Sequence, residues 1–139
     1  MAITKQDFII FSSIDWTIHW QLHHQLATSL VSAGNRVLFV DNTGIRSANI
    51  SDTKRLKERV VNWYKGAHGF SSIDKNLTVY SPLLLPFPYS KLSLFINKII
   101  FNKSISRWTR AAKFNNPVVI SFLPTPLIQN AIKNIIPKL

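Results

Sequence analysis

Between residues 12 and 24 the chain reads SSIDWTIHWQLHH, which places two serines, one carboxylate, three imidazoles and two indoles within thirteen positions. His19 and His23 are four apart and would meet on one face of a helix, as the two imidazoles of an H-E-x-x-H zinc motif do. Trp20 stands where that motif has its general-base glutamate, His24 falls on a neighbouring face, and no acid cluster supplies a third ligand. No metal site is expected, and the histidines are read as packing beside Trp16 and Trp20 with hydrogen bonds to nearby backbone. Asp41 ends the second apolar run, where a dinucleotide-binding domain holds ribose hydroxyls. The first turn nevertheless lacks G-x-G-x-x-G, and the bulk of SSIDWTIHW would keep a pyrophosphate away from backbone amides. No NAD or FAD site follows, and Asp41 reads as a strand-end turn residue before Asn42, Thr43 and Gly44.

The elements that must position these groups are announced by four apolar runs: FIIF (8–11), RVLFV (36–40), LTVYS (77–81) and VVISF (118–122). Each is nearly continuous rather than alternating, as parallel strands covered on both faces are. Leu22, Leu26 and Leu30 predict a helix after the first run, which Gly34 stops. After the second run, Ser51 or Asp52 caps an expected helix carrying Leu56, Val60 and Trp63, with Lys54, Arg55, Lys57 and Arg59 on its other faces. The three prolines of SPLLLPFPYS forbid helix or central strand there, and Ser90 opens a helix from Lys91 to about Lys113. Leu127, Ala131, Ile132 and Ile135 predict a last helix, halted by Pro137. Alternating strand and helix signals specify an α/β class: a Rossmann-like, open, mainly parallel sheet with helices on both faces, as one domain over residues 1–139.

Composition narrows the class of partner. The chain is 46% hydrophobic and 17% charged, which belongs to a folded protein with a core. Seventeen Lys and Arg against six acids give a formal charge of +11 and favour anionic partners. With no cysteine, disulfides, thiolate metal sites and cysteine nucleophiles are excluded. No signal-peptide pattern is read at the N-terminus, and no run reaches the roughly 18 apolar residues of a spanning helix.

In an open parallel sheet ligands bind beyond the carboxyl ends of the strands, so the loops beginning at Ser12, Asp41, Ser81 and Leu123 are where a site belongs. There the run WQLHHQLATSLVSAGNRVLFVDNTG resembles the start of GT-B glycosyltransferases of the large retaining family called group 1, above all members that build bacterial cell-envelope polysaccharides. That family has a tryptophan-containing turn, a helix of the W-Q-x-x-x-Q-L-A-x-x-L-x-x-x-G type and a second strand R-V-L-x-V. More loosely, VVISFLPTP is similar to its fourth-strand segment. The resemblance implies that this chain is the N-terminal, acceptor-side half of a GT-B fold in a retaining glycosyltransferase. Its acceptor would be a cell-envelope glycan or lipid-linked sugar, and its setting the cytoplasm at the inner face of the cell membrane. A C-terminal domain outside this chain would bind the nucleotide-sugar donor, since Glu58 is the one glutamate here and the donor-side E-x7-E pattern has no counterpart. Carried over residue by residue, Asp15, Trp16 and His19 match the acceptor-side loop, and Asn42, Thr43, Gly44, Pro124 and Thr125 match the rims of later strands. The family's glycine-rich form of the first loop is absent, and no catalytic base is assigned.

The segment SKLSLFINKIIFNKSISRWTRAAKF carries more apolar residues than one buried stripe needs. Lys98, Phe101, Lys103, Arg107, Trp108 and Arg110 are therefore the candidates for a surface that meets acidic lipid headgroups. The preferred alternative is that one face packs on the sheet and a second on a neighbouring helix or missing domain, with the cations solvated. A basic α/β module that binds nucleic acid without catalysis is the second reading, from the charge and the cations at 54–59 and 98–113. It lacks an RNP-like strand, helix-turn-helix spacing and zinc spacing, so nucleic acid is not the expected partner. A phosphoacceptor receiver domain fails for want of an acidic pair after the first strand.

Overall fold

The computed structural model describes residues 3–43, 57, 69–85, 87 and 89–135. The expected helix after residue 51 lies outside them except at Lys57, which is helical and exposed. The first apolar run becomes strand β1 (Asp7–Phe11), buried along its whole length. It pairs in parallel with β2 (Arg36–Val40), from Asp7 opposite Arg36 to Phe11 opposite Val40. On its far side it pairs in parallel with β5 (Val118–Ser121). Strand β4 (Leu77–Tyr80) lies parallel to β2.

A fifth strand was not expected: β3 (Phe70–Asp74) runs antiparallel to β4 across the Lys75–Asn76 turn, giving the order β3-β4-β2-β1-β5. Four of its five residues are exposed. It is an edge strand held by its ladder to β4, and Phe70, stacked at 4.2 Å on Tyr80, is its one contact with the core.

Because side chains alternate across a strand, the sheet makes two cores. On one face Phe8, Ile10, Val37 and Phe39 meet Ala27, Leu26 and Leu30 of helix α1 (Leu22–Ser32). On the other, Ile9, Phe11, Leu38 and Val40 meet Phe101 and Ile105 of α2 (Lys91–Ala111) and Ile128, Ala131 and Ile135 of α3 (Pro126–Ile135). The protein is thus α/β, with a mixed, mostly parallel sheet and helices on both faces.

Two residues expected at a membrane surface belong instead to this second core. Phe101 is fully buried. Its ring lies 6.2 Å from that of Phe11 and 6.1 Å from that of Tyr80. Trp108 is half-buried, stacked at 5.6 Å on Phe70 and edge-on at 4.9 Å to Phe114. The cause is the row Ser93, Asn97, Phe101, Ile105, Thr109, which repeats every four residues and faces the protein. Lys98, Lys103, Arg107 and Arg110 are exposed.

At the amino ends of the strands Arg36 makes a bidentate ion pair with Asp7, at 2.7 and 2.8 Å. The same guanidinium donates to the carbonyls of Ala112 and Lys113 just after α2 and lies over the Phe114 ring. This clamp joins β1, β2 and the end of α2.

Candidate functional site

The chain winds from β1 outward through β2 to β4, then α2 carries it back to β5 on the other side of β1. The reversal places a topological switch point at the carboxyl ends of β1 and β5, where open α/β sheets leave a crevice for ligands. Ser12, immediately after β1, and Phe122, immediately after β5, are fixed to it by backbone bonds from Ser12 N–H to the Val40 carbonyl and from Phe122 N–H to the Phe11 carbonyl.

His23, in the first turn of α1, joins the two. Its Nδ1 lies 2.8 Å from Ser12 Oγ, and its ring stacks on Phe122 with centroids 3.8 Å apart. Ser12 Oγ also accepts the Ile14 N–H at 3.0 Å. One hydrogen bond thus joins Ser12 Oγ and His23 Nδ1, and the opposite ring nitrogen, Nε2, has no partner among the described residues. Burial first, and the neighbouring charge of His24 second, lower the His23 pKa below its ordinary 6.5. At neutral pH His23 is therefore an uncharged ring. Ser12 is only 1% exposed, so its oxygen cannot reach an electrophile and the pair is no serine nucleophile with its base. The residues of this junction were visible in the sequence, yet His23 was read as packing beside Trp16 and Trp20 with bonds to backbone, and Phe122 only as strand; the ring instead meets the Ser12 side chain and Phe122.

The helix-based pairing of His19 with His23 does not form. Helix α1 starts at Leu22 because Gln21 is its N-cap, with the His24 ring turned back to accept the Gln21 N–H at 3.2 Å. Since Gln21 N–H only donates, His24 Nδ1 accepts and Nε2 carries the proton to the Trp16 carbonyl at 2.9 Å. His19 is left on the exposed loop before the helix. Among the described residues no group of three or more His, Cys, Asp or Glu is placed to hold a metal.

The loop expected to face an acceptor is braced from within. Asp15, buried, accepts the Asn42 N–H at 3.2 Å. Asp41, also buried, accepts the Trp16 N–H at 2.7 Å and the Ser81 hydroxyl. Asp41 thus ties the first loop to the ends of β2 and β4, a larger task than that of a turn residue. The Trp16 ring rests edge-on against Phe39 at 5.0 Å and Trp20 at 5.8 Å, and Trp20, 58% exposed, stacks on His24. Thr43 is buried with its hydroxyl unpartnered among the described residues, while Gly44 lies outside them. Pro124 is exposed, and Thr125 is occupied as the cap of α3, its hydroxyl accepting the Ile128 N–H at 3.4 Å.

The topology therefore brings Asp15, Trp16, His19, Asn42, Thr43, Pro124 and Thr125 to the carboxyl ends of the strands, with Asp15, Trp16 and Thr125 serving the scaffold. A second hollow of about 540 Å³, bordered by Lys5, Gln6, Asn115 and Asn116, opens at the amino ends. Of its three charged groups, Asp7 and Arg36 are taken up by their mutual clamp, which leaves Lys5. Comparison with protein-family models, curated proteins and solved structures returns no match. Among the described residues no helix is long and apolar enough to cross a membrane.

Proposed function

We propose that this chain is the acceptor-binding half of a GT-B type glycosyltransferase, which moves a sugar from a nucleotide donor to a cell-envelope glycan or lipid-linked acceptor. One observation carries the reading: the crevice at the switch point is crowned by side chains, His23 on Phe122 beside Ser12, where a coenzyme site needs open amides. Aromatic faces suit the apolar faces of pyranose rings, and the His23 Nε2 with the exposed His19 and Trp20 supplies hydrogen-bonding groups for hydroxyls. His23 thereby joins the acceptor-side residues named from the sequence. A partner domain is required to bring the donor's anomeric carbon and leaving phosphate into line with the acceptor, because such transfer rests on positioning and charge stabilisation. The chain alone binds acceptor and turns nothing over.

Amide NMR spectra of the chain titrated with short glycans test this. Perturbations confined to Ser12–Trp20 and Phe122–Thr125, with none from nucleotide sugars, are the expected result. Shifts at Asp41 and the first loop on adding NAD, with silence toward glycans, would show a coenzyme domain instead.

A further inference from the structure

We propose that the outward stripe of α2, together with the proline-rich loop leading into it, is a docking surface for bilayers containing acidic phospholipid. The surface differs from the one expected from the sequence, since Phe101 and Trp108 have no part in it. While Asn97 and its row face the protein, Leu92, Phe95 and Ile99 recur at i, i+3 and i+7 on another side and are 68%, 59% and 39% exposed. The loop before the helix enlarges the stripe. Buried Asn97 holds that loop by both of its amide groups, accepting the Leu85 N–H at 2.7 Å and donating to the Leu85 carbonyl at 3.1 Å. Just beyond this fastening Phe87 is 58% and Tyr89 92% exposed.

Charge identifies the occupant. Lys91 and Lys98, both exposed, border the stripe, and Lys103 and Arg110 continue its row toward the helix C-terminus. No aspartate or glutamate follows Asp74 in the chain, so this half of the protein has no acid to repel an anionic surface. Apolar side chains ringed by long-stemmed cations, with a tyrosine at the margin, are the composition of a segment that lies in a headgroup interface. A protein partner matched to this face would have to supply acidic groups opposite these cations, whereas an acidic headgroup layer does so at every point of its surface. The proposal stands independently of the carbohydrate reading, and its test contains no sugar.

The chain lacks cysteine, so one cysteine at Phe95 can carry an environment-sensitive fluorophore, with Ser72→Cys on β3 as the control position. Added phosphatidylglycerol–phosphatidylcholine vesicles should sediment the chain and shift the Phe95→Cys label to the blue. Phosphatidylcholine alone should do neither, the Ser72→Cys label should stay unchanged, and sodium chloride should release the protein. Leu92→Ser with Phe95→Ser, folded by circular dichroism, should weaken vesicle binding roughly tenfold or more, as expected for withdrawing large apolar side chains from the interface. Recovery in the supernatant at low salt overturns the proposal, and so does undiminished binding by the double variant. A blue-shifted label in a lipid-free dimer, seen by sedimentation equilibrium, would assign the stripe to a second copy.

Discussion

His23 is where position in the fold changes the chemistry of a residue most. An isolated imidazole titrates near 6.5, but this one is held below that by burial and by His24. Between its folded and unfolded pKa values the unfolded chain binds more protons, so the His23 contribution to stability is full above pH 6.5 and fades as pH falls through the folded pKa. Denaturant midpoints at descending pH should show the native chain losing stability below pH 6.5, and His23→Gln losing less. Equal losses would mean that the ring is not held uncharged. Asp7 and Arg36 offer a second contrast, because the two ends of the pair differ in burial: the Asp7 side chain is 8% exposed, that of Arg36 40%. Arg36→Ala strands a buried carboxylate with the Asn115 N–H as its remaining bond, at 2.7 Å. Asp7→Ala leaves a guanidinium that still reaches water and two carbonyls. Urea titration should give a loss of about 3 kcal/mol for Arg36→Ala and a smaller one for Asp7→Ala, as an uncompensated buried charge demands.

Among the elements, the glycine before β3 decides whether the hairpin closes. Gly69 sits at φ +91, and a Cβ there would lie 2.6 Å from the Ser81 carbonyl oxygen, a backbone atom that cannot step aside. Gly34, after α1, has φ +88 but open space where a Cβ would go. Both alanine variants carry the left-handed penalty of about 1–2 kcal/mol, and Gly69→Ala adds a clash, so its thermal midpoint should fall distinctly further. Of these elements, β1, β2, β4, β5 and all three described helices were legible, because buried parallel strands and capped helices write continuous runs and stop signals into the sequence. What escaped notice was whatever depends on a neighbour. β3 buries only part of Phe70 and leaves its other four residues exposed, so FSSID shows no apolar run. Leu22, which began the helical leucine pattern, is 66% exposed, while His24 and Ala27 take the buried places on α1. Phe101 and Trp108 looked like surface residues until the sheet was there to cover them. The candidate site was legible as a set of loops, since strand ends are readable, but the Ser12–His23–Phe122 junction joins three elements and has no spacing of its own.

For the whole molecule the dominant electrostatic fact is +11 on 139 residues. With six acids against seventeen cations, pairing can offset only part of it; the Asp7–Arg36 bridge is the one salt bridge among the described residues. Asp15 and Asp41 accept backbone and hydroxyl donors in the bonds that hold the first loop. With eleven cations in excess, the compact state carries self-repulsion that the expanded chain relieves. Salt should act in the direction opposite to that seen in a protein laced with surface ion pairs. Raising ionic strength from about 0.01 M to about 0.15 M shortens the Debye length from about 30 Å to about 8 Å, below most separations between surface cations. The midpoint of thermal unfolding should rise by about 2–5 °C in sodium chloride, the size expected when screening removes about 1 kcal/mol of repulsion from a domain of this length. Sodium chloride, rather than sulfate, is the proper reagent, because sulfate also strengthens apolar burial and would raise the midpoint by a different route. A midpoint that falls across the same range would mean that attractive pairs outweigh the repulsion, and the excess cations would then have to be neutralised within the fold rather than held ready for an anionic surface.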